Sequence, residues 1–107
     1  MPNWTKDELI AYILLYAANA NFKEENKERN VIISKVDMQT FQKIHDEFEK
    51  DNDYQSINKM ISGLEQHEYS NQDLSMLFND IKIMFLSDGN FDSIEQSVFL
   101  FLKKVLT

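Results

Sequence analysis

Two glycines and one proline in 107 residues leave this backbone few places to turn sharply, so its elements must end on polar caps. No Val/Thr/Tyr-rich run alternates with polar residues between turn signals, which argues against a sheet. The helix starts, in contrast, are legible. Thr5-Lys6-Asp7-Glu8 has the spacing of a capping box, in which the Thr hydroxyl and the Glu carboxylate each accept from the other's backbone N–H. Behind it, Leu9, Ile10, Ile13, Leu14 and Ala17 recur with a helical period. Tyr12, Leu15 and Tyr16 make the opposite face apolar too, so this helix should have neighbours all round and end near Asn19.

The same reading carries along the chain. A helix polar at its front runs from Lys23 to Val36, and Asp37 caps the next, with Val36 and Phe41 placed as a hydrophobic staple. Met38, Phe41, Ile44 and Phe48 form that helix's apolar stripe, while Gln42, Lys43, Asp46 and Glu47 face water. Asp53 is placed to cap a fourth helix with the stripe Ile57, Met60, Ile61 and Leu64. Gly63 inside it costs about 1 kcal/mol relative to Ala, which points to close packing there. Ser70-Asn71-Gln72-Asp73 opens a fifth helix, with Tyr69 stapled to Leu74, and Leu77, Phe78, Ile81, Met84 and Phe85 facing the core. Asp92-Ser93-Ile94-Glu95 opens a sixth, with Ile94, Val98, Phe101, Leu102 and Val105 inward and Phe99 and Leu100 widening the apolar surface, so that it too should be central. The expectation is an all-α, single-domain bundle of about six helices spanning residues 1–107.

Composition narrows the functions. With 18 acidic against 11 basic side chains and no clustered basic face, the net charge of −7 repels phosphate backbones, which argues against nucleic-acid binding. The absence of cysteine removes disulfides, thiolate metal sites and Cys nucleophiles, and fits a reducing, cytoplasmic setting. The longest apolar run, Leu9 to Ala18, is half of the ~20 residues a membrane span requires, so no membrane insertion is expected. No nucleophile, base and orienting group recur together and no Gly-rich phosphate loop exists, so the chain reads as non-enzymatic. His45 and His67 lie on polar faces without a second His at helical spacing, which suits surface residues better than zinc ligands.

Setting Phe22 against Phe91 aligns an apolar helix, a turn and a following helix in both halves, at an offset too long for a solenoid repeat. The layout is that of a pseudo-duplicated helix-turn-helix, with Asn19, Ala20 and Asn26 where the second copy has Asp88, Gly89 and Glu95. The second copy, Phe85-Leu86-Ser87-Asp88-Gly89-Asn90-Phe91-Asp92-Ser93-Ile94-Glu95, resembles the signature of the TerB-like domains, the tellurite-resistance TerB family and its relatives. That resemblance implies an all-α bacterial domain of metal and stress responses whose acidic residues hold a cation. Carried onto this chain, it puts Asp88 and Glu95 on the family's positions with Asp92 beside them, as ligands for Ca²⁺ or Mg²⁺. Asn19 and Asn26 stand where the first copy would carry acids.

No EF-hand register fits. With Gly89 at loop position 6, Met84 and Leu86 fall where carboxylates are required; starting at Asp88 puts Phe99 at position 12. The turn also has a purely structural reading, with Gly89 supplying positive φ after a helix and Asp92 and Glu95 capping the next. Two functions therefore stand: a TerB-like interaction or stress-response module tuned by a divalent cation, or an acidic helical protein–protein module without metal. Protein partners are expected in both, with leftover apolar faces serving a homodimer or a partner groove.

Overall fold

The computed structural model describes residues 4–19, 26–86 and 93–106. Its first helix, α1 (Lys6–Asn19), begins on the expected reciprocal pair: Glu8 N donates to Thr5 Oγ1 at 3.1 Å and Thr5 N to Glu8 Oε1 at 2.8 Å. From Leu9 to Ala18 every side chain but the half-buried Ile10 is buried. Helices α2 (Asn26–Lys35), α3 (Met38–Lys50), α4 (Asp53–Gln66) and α5 (Asn71–Leu86) all pack against α1, which makes it the axis of the bundle. A helix apolar on every side has no stable place except inside, and a fully buried Leu or Ile contributes roughly 1.5–3 kcal/mol.

The caps that join these helices are local and follow the side chains. Asp37 accepts from Thr40 N at 2.7 Å to open α3, with Val36 and Phe41 both buried beside it. Ser70 and Asp73 exchange backbone-to-side-chain bonds of 3.1 Å at the start of α5. At α4 the cap is Asn52 rather than Asp53, because Asn52 and Gln55 close a full capping box and move the start by one residue. Asp53 becomes the first helical residue, with its carboxylate turned to Tyr16. Among the described residues there are six helices and no strand, an all-α bundle.

Two stripes are narrower than their sequences imply. In α3, Phe41 and Ile44 are buried and Phe48 half-buried, while Met38 in the first turn stays 55% exposed. The last helix, α6 (Ser93–Leu106), is peripheral and not central: it lies chiefly against α4 and α5. Leu102 and Leu106 are its buried apolar residues, and Ile94, Leu100 and Phe101 are exposed. The interior position was already filled by α1, so α6 can bury only one edge of an apolar surface that runs most of the way round it. No helix is long and apolar enough to cross a membrane among the described residues.

Gly63 behaves as the sequence requires. A Cβ there would sit 2.6 Å from Leu9 Cδ1 and 3.4 Å from Trp4 Cε3, so the missing side chain is what lets α4 approach α1 this closely.

Candidate functional site

Of the three residues assigned to a cation, Asp88 and Asp92 lie outside the described residues, as do Phe22 and Phe91, on which the duplicated layout was aligned. Glu95 is described, in the first turn of α6 with only 2% of its surface exposed. Of the degenerate copy, Asn19 donates through Nδ2 to Leu15 O at 2.9 Å within its own helix, and Asn26 begins α2. Among the described residues no three His, Cys, Asp or Glu gather as a metal-binding group. The two histidines are apart and each has a structural role. His45 Nδ1 lies 2.7 Å from Glu49 Oε1 with its ring against Phe41, and His67 Nε2 lies 2.8 Å from Trp4 O. Both are half-buried, not free on polar faces.

A polar network between α1, α3 and α4 is the feature that sequence reasoning missed. Glu47, Asp51 and Asp53 at the end of α3 and the start of α4 are tied into the fold. Tyr12 donates to Asp51 Oδ2 at 2.5 Å and shares a 2.9 Å bond with Ser56 Oγ; Tyr16 donates to Asp53 Oδ1 at 2.7 Å. Lys59 Nζ reaches Asp51 Oδ2 at 2.8 Å and Glu47 Oε2 at 3.0 Å, and Trp4 Nε1 donates to Glu47 Oε1 at 3.3 Å. On the other side of α1, Lys43 Nζ meets Glu8 Oε2 at 2.7 Å, so the capping carboxylate also ties α1 to α3. Only the polar tips of Tyr12 and Tyr16 were a signal, since a buried phenol needs a partner for its hydroxyl.

The electrostatics of this network hold its phenols protonated. Burial, and then the bond to a carboxylate, push the Tyr12 and Tyr16 hydroxyls well above the ordinary tyrosine value. A phenol held so strongly in its protonated form is a fixed donor, not a general base. Burial alone would lower Lys59, but its bonds to Asp51 and Glu47 outweigh it and hold the ammonium above its usual range. The bond to Lys43 holds Glu8 below the ordinary carboxylate range, against the opposing effect of burial. The network is a set of matched donors and acceptors that fixes α1 in register with α3 and α4.

The surface that remains open is on α5 and α6. Large apolar side chains exposed to solvent are Met38, Tyr54, Met76, Ile83, Leu86, Ile94, Leu100 and Phe101, and all but the first two belong to these two helices. Phe101, expected inward, is 43% exposed, and Met76 is 64% exposed. The two helices also share a groove of about 420 Å³ whose apolar lining is Leu74, Phe78 and Phe99, with Lys82 and Lys103 on it; none of those six exposed residues lines it. Phe78 and Phe99 meet edge to face at 5.8 Å, and Lys103 Nζ sits 5.9 Å from the Phe99 ring centre. No family model matches this chain, and no curated protein or solved structure matches it significantly.

Proposed function

We propose that this chain is a TerB-like helical domain of the bacterial cytoplasm that acts in a stress response by binding a protein partner, not by catalysis. The supporting observation is that six of the eight large apolar side chains exposed among the described residues lie on α5 and α6, among them Ile83, Leu86, Ile94, Leu100 and Phe101. Single exposed apolar residues are ordinary, whereas several on two adjacent helices characterise an interaction surface. The kinship itself rests on the Asp88-Gly89-Asn90-Phe91 turn and on Glu95 after it.

Site-specific photocrosslinking in living cells tests the reading. A benzoyl-phenylalanine replacing Leu100 is expected to give discrete heavier adducts, while the same group replacing Tyr54, which is 77% exposed on α4, gives none. An adduct at twice the chain mass identifies a homodimer. Absence of adducts at Leu100, or equal yields at both positions, removes the surface from consideration.

The cation is the finer part of the proposal and rests on the resemblance of the turn from Asp88 to Glu95; Glu95 lies buried at the helix start, where a carboxylate suits the helix dipole. Ca²⁺ or Mg²⁺ held by Asp88, Asp92 and Glu95 in the folded state alone raises the melting temperature by mass action. The expected result is a rise at millimolar metal that is lost in Glu95→Gln. A melting curve unmoved by either ion leaves the second reading, an acidic helical interaction module without metal.

A further inference from the structure

We propose that the groove between α5 and α6 receives an amphipathic segment of a partner protein whose apolar residues are flanked by carboxylates. This goes beyond the interaction reading, whose exposed apolar residues do not line the groove, and rests on it for there being a protein partner. The residues that α5 gives to the groove run from Asn71 to Lys82, about 16 Å of helix, or three turns. Leu74 and Phe78 stand one turn apart along it, and Phe99 and Lys103 stand one turn apart on the facing helix. A groove of that length, with Leu74, Phe78 and Phe99 as its apolar floor, takes about three turns of an amphipathic helix laid with its apolar face inward.

Charge selects the occupant. The chain carries seven more acids than bases, yet this groove is lined by Lys82 and Lys103 and by no Asp or Glu among the described residues. Two other surface clefts differ. The one at Tyr69 and Leu77 holds Asp73 and Asp80 beside Lys6, and the one at Leu64 and Val105 holds Glu65 and Glu68. A carboxylate-bearing segment is thus disfavoured at those two clefts and favoured here. The Lys103 ammonium lies near the Phe99 ring, so its stem covers apolar surface that a partner's side chain takes over when a carboxylate draws the charge outward. A phosphate backbone fits poorly: two lysines do not offset the field of a chain at −7, and the apolar lining gives it nothing to bury.

A random 16-residue peptide library displayed on phage, selected on the intact chain, tests the proposal. The expected peptides carry Leu, Ile or Phe at helical spacing with Asp or Glu beside them, and shift the amide resonances of residues 71–82 and 96–104. The Lys82→Glu/Lys103→Glu variant changes two exposed side chains, and its folding is checked by its melting curve. Binding to it should be about tenfold weaker, and raising the salt should weaken binding to the parent chain. Peptides that map to the groove without acidic bias overturn the charge assignment but keep the surface. Peptides that map to another face overturn the groove but keep the interaction reading. A selection that enriches nothing overturns both.

Discussion

Replacing Tyr12 by Ala is expected to cost about 4 kcal/mol, a large part of the ~5–15 kcal/mol that holds a domain folded. The ring is fully buried, with centroids 4.5 Å from Trp4 and 5.5 Å from Phe48, so truncation opens a cavity at the junction of α1, α3 and the segment before α1. Tyr12→Phe keeps the ring and removes only the hydroxyl. Ser56, itself buried, then loses that partner, while Asp51 keeps Lys59, so the expected cost is about 1–2 kcal/mol. Urea unfolding of the three proteins separates the packing part from the hydrogen-bond part. Near-equal losses for Ala and Phe would show that the hydroxyl, not the ring, carries the site.

The same residue gives a pH signature. An unfolded tyrosine ionises near pH 10. In the folded chain burial and the aspartate partners raise Tyr12 and Tyr16 above that value, so both stay protonated where the unfolded chain has lost its protons. Their contribution is full below about pH 10 and is lost as the pH rises beyond it. Lys43 and Lys59, also raised, act in the same sense, so Tyr12→Phe/Tyr16→Phe should flatten the alkaline decline without abolishing it. Stability that stays level from pH 9 to 11 would contradict the network.

The second large effect is at Gly63. Ala there gains about 1 kcal/mol of helix propensity but meets the end of Leu9, which is fully enclosed and has no solvent to swing into. Overpacking costs about 1–3 kcal/mol, so Gly63→Ala should lose about 1 kcal/mol net. Gly63→Leu should lose about 3 kcal/mol or more by separating α4 from α1. Shortening Leu9 to Ala in the Gly63→Leu background should restore part of the loss, because the two side chains compete for one space. A Gly63→Ala protein more stable than the parent would mean that the helices have room to spare.

How far the sequence discloses this structure depends on range. Thr5 with Glu8, Asp37 with Thr40, and Ser70 with Asp73 are legible because each pair is three residues apart and needs no tertiary partner. Asn52 escaped notice because its neighbour Asp53 is an equally good cap, and the choice between them was settled by Gln55 and by the pull of Tyr16 on Asp53. The tyrosine network joins residues 37 to 44 positions apart, which no periodicity encodes. Phe101 and Leu100 misled for the opposite reason: apolar residues all round α6 and all round α1 look alike in sequence, and only packing decides which helix takes the interior. At the candidate cation site, Glu95 is placed and buried, while Asp88 and Asp92 lie outside the described residues.

The central position of α1 has a consequence during synthesis. The enclosed helix is synthesised before the other five described helices, yet one of its walls is α5, whose last residue follows Asn19 by 67 positions. At elongation rates of about 5–20 residues per second that is a wait of roughly three to thirteen seconds with an apolar helix unpacked. Until the later helices close around it, such a helix is exposed to misassociation.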